Sequence, residues 1–127
     1  MKFFTQSAIA LATFALTTVV MANDPLADTM WQTFDNGKPK ATVQITQSGD
    51  TFSGKIIDTN REEGKKFVGT TVFTGLKADG NGKYSGGKIT DPENGKTYKM
   101  SATLKANTLA VRGHLGPFHR TQNWKKK

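Results

Sequence analysis

Cysteine is the residue type that this sequence lacks altogether, since none occurs among its 127 residues. Its absence excludes a disulfide-stapled scaffold, a thiol nucleophile, a zinc–thiolate site and an iron–sulfur cluster. The sequence also lacks a nucleophile elbow, a phosphate-binding glycine loop and a pair of metal-binding histidines spaced for one helix face. We therefore predict no catalytic residue, no metal site and no cofactor, and we expect a protein that is not an enzyme.

Few titratable side chains are left for any alternative catalytic site. Asp91 and Glu93 lie two positions apart, and His114 and His119 flank a Gly-Pro pair. An enzyme would need these four groups to converge, because a general base must come within hydrogen-bond reach of its partner. We interpret Asp91, Pro92, Asn94 and Gly95 instead as a turn, in which proline presets φ and glycine adopts a positive φ.

Long hydrophobic runs are absent after residue 22. Before that point, Lys2 is followed by an uncharged apolar stretch over residues 8–21 and by small residues at a cleavage position, ending at Ala22. This three-part pattern is typical of a signal peptide. We predict a signal peptide over residues 1–22, one domain over residues 23–127 without a transmembrane segment, and export to the periplasm or beyond.

Short alternating runs, separated by Gly, Asn and Asp, make up the rest of the chain. Within residues 41–47, for example, Val43 and Ile45 share one face while threonine and glutamine share the other. Eight such runs recur at roughly ten-residue spacing, which is typical of an all-β barrel or sandwich. Because the connections are short, we predict a small antiparallel up-and-down β-barrel of about eight strands. The predicted strands cover residues 29–34, 41–47, 51–58, 67–76, 84–90, 97–105, 108–115 and 120–125.

Three motifs occur in a fixed order along this domain: GGKITDPENGKTY at residues 86–98, VRGHLG at 111–116 and RTQNW at 120–124. Together with Trp31-x-Thr33-x-Asp35 upstream, they resemble the bacterial exported family catalogued as domain of unknown function 2147. The resemblance implies a small secreted barrel related in shape to the lipocalin-like, or calycin, group, and it implies no established activity.

A further expectation follows from the calycin resemblance. In such barrels a tryptophan of the first strand often packs beneath a basic side chain of the last strand, which closes one end. The resemblance implies that Trp31 and Arg120 form this structural pair, with Arg112 as the alternative partner. The attraction would be that of a guanidinium over an indole face.

The inward faces of the predicted strands suggest a binding function. A barrel of eight strands can be filled by its own side chains or can hold one small ligand. We expect an apolar or amphipathic small molecule, with the lumen formed by the apolar residues of those faces. The candidate ligand-binding residues are Val43, Ile45, Phe52, Phe73, Tyr98, Met100 and Val111.

The outer surface suggests a different function. Without Lys2, the chain has 17 basic and 10 acidic residues, a net charge of +7. The lysines are spread over turns and strands, and only residues 125–127 form a run. The alternative is therefore a structural or interaction protein that meets an anionic component of the cell envelope. Nucleic acid is not expected, because no strand interleaves aromatic and basic residues, and the oligomeric state is left open.

Overall fold

Eight strands and one short 3₁₀ helix lie within residues 24–127, the part of the chain that the computed structural model describes. The predicted signal peptide, residues 1–22, lies outside these residues. The strands are β1 (Thr29–Asp35), β2 (Lys38–Ser48), β3 (Thr51–Thr59), β4 (Thr71–Gly80), β5 (Lys83–Thr90), β6 (Thr97–Lys105), β7 (Thr108–Leu115) and β8 (Phe118–Lys126), and the 3₁₀ helix is Glu62–Phe67.

The strands form one closed antiparallel barrel in which each strand pairs with the next. The predicted all-β, up-and-down barrel of eight strands is thereby confirmed. Several boundaries differ by a few residues, most of all at the fourth strand, which spans Thr71–Gly80 where residues 67–76 were predicted. In the structure Phe67 ends the 3₁₀ helix and Gly69 adopts a φ of +96°. Val68 N–H donates to Lys65 O and Thr70 N–H donates to Phe67 O, which are the bonds of turns, so β4 begins only at Thr71.

Alternation along the strands places apolar side chains inside the barrel, and it follows from the two-residue period of a pleated strand. In β3 the buried residues are Phe52, Gly54 and Ile56, while Lys55 points outward. A Cβ at Gly54 would overlap the ring of Phe73, so this glycine leaves room for an aromatic side chain of the neighbouring strand.

The two ends of the barrel differ. At one end residues 24–28 cross the opening, and Leu26 is fully buried there. Hydrogen bonds hold this segment. Among them, Leu26 N–H donates to Asp24 Oδ1 (2.9 Å), Thr29 Oγ1 donates to Leu26 O (2.7 Å), and Trp31 Nε1 donates to Thr29 Oγ1 (2.8 Å). This end is closed. The opposite end carries the β1–β2, β3–β4, β5–β6 and β7–β8 connections.

The first and last strands of the barrel separate from each other toward that opposite end. Strands β1 and β8 pair only through Trp31 with Lys126 and Gln32 with Lys125. Strand β7, in contrast, pairs with β8 along its entire length, from Thr108 to Leu115. Strands β1 and β8 thus diverge beyond Gln32, and the interior is accessible from this end.

Candidate functional site

A cavity of about 580 Å³ occupies the open half of the barrel. Its wall is largely apolar, and its rim carries charged and polar groups from the strand ends and connections. The apolar side chains of the wall include Ala41, Val43, Ile56, Val72, Ile89, Tyr98, Val111 and Trp124.

Of the seven predicted ligand-binding residues, three line this cavity: Val43, Tyr98 and Val111. The other four do not, because Ile45, Phe52, Phe73 and Met100 are buried in the core of the closed half. All seven point inward, as expected, but a step of two residues along a strand moves a side chain about 6.6 Å along the barrel. Met100 is one such step deeper than Tyr98, and Ile45 is one step deeper than Val43.

Strand β8 contributes four inward side chains that were not predicted to line a ligand site. Phe118, Arg120, Gln122 and Trp124 alternate along the strand and line the cavity. Trp124 is buried, and its Nε1 donates to Oε1 of Gln122 at 3.4 Å. Their two-residue spacing, anchored on an inward tryptophan, is the signal from which this face could have been predicted.

The predicted contact between Trp31 and an arginine is wrong. Trp31 lies in the closed half, where its cross-strand partner is Lys126. Arg120 is six residues from Lys126 along β8, which is about 20 Å in an extended strand, and it lines the cavity instead. Arg112 points outward, and its Nε donates to Thr121 Oγ1 at 3.2 Å. Trp31 is covered by residues 24–28 and not by a guanidinium, because an inward arginine on β8 falls in the open half.

The β5–β6 connection forms one side of the rim. Asp91 Oδ1 accepts the N–H of Glu93 (2.9 Å), Asn94 Oδ1 accepts the N–H of Lys96 (2.8 Å), and Gly95 has a φ of +75°. Pro92 stands between them, and Asp91, Pro92 and Asn94 all line the cavity. The residues predicted as a turn therefore form one, and they also face the candidate site.

Two ion pairs hold connections against the rim. Lys40 Nζ lies 3.2 Å from Glu93 Oε2, which joins the β5–β6 turn to β2. Arg61 Nη1 lies 3.1 Å from Asp35 Oδ2, which joins the β3–β4 connection to the end of β1. Both pairs are partly exposed, so each contributes little to stability, but each neutralises one charge at the rim.

His119 and Asp91 both line the cavity, but neither histidine is bonded to an acidic candidate in the described part of the chain. His114 and His119 are cross-strand partners with ring centroids 6.1 Å apart, and the outward-facing His114 Nε2 lies 3.0 Å from Ser101 Oγ. In the part of the chain that the structure describes, no hydrogen bond or ion pair links either ring to Asp91 or Glu93. The four titratable groups thus form no acid–base set there.

The closed end contains one perturbed titratable group. Tyr84 is buried, and its hydroxyl donates to Asp24 Oδ1 at 2.8 Å. Burial, and then the hydrogen bond and the negative charge of Asp24, raise the pKa of Tyr84 above its usual range. The phenol therefore stays neutral and serves to fix residues 24–28 across the end.

Two classes of site are not found within residues 24–127. No group of three or more His, Asp or Glu side chains is arranged to hold a metal ion. No helix in this part of the chain is long and apolar enough to span a bilayer.

Comparisons with known proteins agree with this architecture. The family model described as "Uncharacterized protein conserved in bacteria (DUF2147)" matches residues 29–126. A solved structure described as protein HP1028 from Helicobacter pylori, belonging to the lipocalin family, superposes with a TM-score of 0.65 at 19% identity, covering 79% of this chain and 82% of that one. No curated protein matches the sequence. The likeness to HP1028 shows a shared fold.

Proposed function

The chain belongs to the DUF2147 family of bacterial proteins, and from that premise we propose that it is an exported, non-enzymatic barrel that binds one apolar or amphipathic small molecule. The observation that carries the proposal is the cavity of about 580 Å³. Small-molecule sites are typically apolar clefts of about 300–1,000 Å³ with a few polar groups. A filled barrel would instead be packed to the density of a protein interior.

The arrangement of the two halves supports binding in the open half. Phe52, Phe73, Leu76 and Met100 fill the closed half, so a ligand cannot pass through the barrel. At the open end Phe118 is 74% exposed although it lines the cavity. An apolar side chain held in water at a cavity mouth gains from contact with an entering apolar ligand.

Native mass spectrometry of the protein purified from its own cells tests this function. We expect a bound species of defined mass that organic extraction removes and whose addition restores the complex. The unliganded mass alone, together with no binding of dodecanol or dodecanoate by calorimetry, would show that the cavity is not a ligand site. Recovery of the protein from the periplasmic fraction, or from the medium, tests the proposed export.

A second candidate function is favoured by the charge of one side of the barrel. Strands β5 to β8 are consecutive and carry no acidic residue. Six of their basic residues alternate with inward positions and so point outward. They are Lys83, Lys88, Lys99, Lys105, Arg112 and Lys125. We call this surface the basic face.

One row of the basic face sets like charges against each other, because Lys88 pairs with Lys99. His114 and then His119 continue this row on β7 and β8. Like charges directly opposite in a sheet are destabilising, and an anion binding across them would remove the repulsion. Leu115 and Phe118, both exposed, lie at the mouth of the cavity in the β7–β8 hairpin, at the end of this row. Cationic and apolar side chains together suit a bilayer that contains anionic lipid.

Charge reversal separates this candidate from a merely solvated surface. Lys88→Glu with Lys99→Glu should abolish cosedimentation with phosphatidylglycerol-containing vesicles, whereas Lys38→Glu with Lys55→Glu, an equal charge change on β2 and β3, should not. The single variant Lys88→Glu faces Lys99, so it should gain about 0.5 kcal/mol of stability while it binds these vesicles less. Equal losses by both double variants would indicate net charge alone, and the basic face would then have no role.

A further inference from the structure

Among the described residues, the basic side chains that line the cavity are Arg120, Lys40 and His119. Lys40 is paired with Glu93. Three ion pairs join residues of the described part of the chain, and none of them uses Arg120. Of the lysine and arginine side chains that line the cavity in the described part of the chain, Arg120 is therefore the one that no carboxylate within salt-bridge distance neutralises.

The surroundings of Arg120 leave its inner side open. Its cross-strand partner on β7 is Gly113, which has no side chain to stand beside it. On the other side, the seam between β1 and β8 is unpaired at this level. A guanidinium without a neighbour on either strand is available to a molecule that occupies the cavity.

The acidic groups at the rim already have partners, either a basic side chain or a backbone N–H. Asp35 is paired with Arg61, and Glu93 with Lys40. Asp91 accepts a backbone N–H within its own turn and belongs to the end of β5, three strands away from β8. Two charged groups at the mouth thus have no ionic partner among the described residues, Arg120 and Asp91. Asp91 is nevertheless hydrogen-bonded within its own turn, whereas no such bond engages the side chain of Arg120 within residues 24–127.

We propose that the ligand is an amphipathic anion whose apolar chain fills the cavity and whose carboxylate or other acidic group is held by Arg120. This inference rests on the proposed ligand-binding function and specifies its ligand class. The planar guanidinium donates two parallel hydrogen bonds to an oxyanion. The cavity wall buries the chain, and Gln122, next inward on β8, offers an amide close to the head group.

Three ligands with the same chain and different head groups test the proposal. Dodecanoate, dodecanol and dodecyltrimethylammonium, each below its micellar concentration, are titrated into the delipidated protein by calorimetry. We expect dodecanoate to bind about tenfold more tightly than dodecanol, which is the contribution of one charge-assisted pair, and dodecyltrimethylammonium to bind most weakly.

Variants assign that preference to one residue. Arg120→Gln should bind dodecanoate and dodecanol equally, and Arg120→Lys should restore part of the preference. Arg112→Gln is the matched control, because it removes the same charge from the outer face of the adjacent strand and should leave the preference unchanged.

The outcomes separate this inference from the proposed function. Binding of all three ligands with equal affinity, or an undiminished preference for dodecanoate in Arg120→Gln, would overturn the role of Arg120 while leaving a ligand-binding barrel. Tightest binding of dodecyltrimethylammonium would point to Asp91 and would also overturn it. Failure of all three to bind would overturn the proposed function itself.

Discussion

Replacing Gly113 with phenylalanine is expected to remove ligand binding from a barrel that remains folded. Gly113 lines the cavity, and a Cβ built there would lie 3.6 Å from Tyr98 Cβ and 3.9 Å from Ile89 Cγ2, which is ordinary van der Waals contact. Its φ is not in the left-handed region, so a side chain introduces no backbone strain. The new ring must extend into the space that the ligand would occupy.

The size of the effect follows from the apolar surface that the ring displaces. If it takes the place of about four methylene groups, each worth about 0.8 kcal/mol when buried, affinity should fall on the order of a hundredfold. Both dodecanoate and dodecanol should lose affinity, and dodecanoate at least as much, because the ring takes up chain space and also stands beside Arg120, the cross-strand partner of Gly113. Calorimetry measures the loss, and urea denaturation should show a stability within about 1 kcal/mol of the wild type.

Ala110→Phe is the matched control for this variant. Ala110 lies on the same strand, pairs with Thr103 and Asn123, and does not line the cavity. It should bind both ligands as the wild type does. Undiminished binding by Gly113→Phe would place the ligand outside the barrel and would contradict the proposed site.

The strands were predictable from the sequence because each is short, alternating and bounded by turn residues. The 3₁₀ helix was not, since residues 62–67 carry no apolar period and none of them is buried. Its place is set by the chain around it, where Gly69 N–H donates to Ile56 O and Gln32 Nε2 donates to Asn60 Oδ1. Such contacts between distant residues leave no local pattern.

The cavity was less predictable than the barrel around it. Alternation shows which side chains point inward, but depth along the barrel depends on strand register. Bulges shift that register, for example between Thr33 and Phe34 and between Thr42 and Val43. Val43 and Ile45 share one alternation pattern, but Ile45 is one two-residue step nearer the closed end, so Val43 lines the cavity and Ile45 lies in the core.

The basic face was also predictable from the sequence. All acidic residues after the predicted signal peptide lie before residue 94, so the last three strands carry only basic charges. In a meander barrel consecutive strands are neighbours. A stretch of sequence whose charged residues are all positive therefore becomes a positively charged face. Lysines that look dispersed along the chain are brought into rows by the cross-strand register.

Replacing Trp31 with alanine is expected to destabilise the barrel more than any change at the cavity. Trp31 is fully buried in the closed half, and its Nε1 donates to Thr29 Oγ1, which in turn donates to Leu26 O. The variant loses the buried ring and leaves a void beneath residues 24–28. Truncation of a buried tryptophan typically costs about 3–5 kcal/mol, which is a large part of the total stability of about 5–15 kcal/mol for a domain.

Urea denaturation followed by far-ultraviolet circular dichroism measures this loss without relying on tryptophan emission. Trp31→Phe keeps most of the apolar volume and should lose less, including about 1 kcal/mol for the missing hydrogen bond. Arg120→Gln should stay within about 0.5 kcal/mol of the wild type, because Arg120 is exposed and does not contact Trp31. A large loss of stability in Arg120→Gln, with a small loss in Trp31→Ala, would contradict this prediction and show that the arginine closes the barrel. The expected order assigns closure to residues 24–28 and leaves Arg120 free for the ligand.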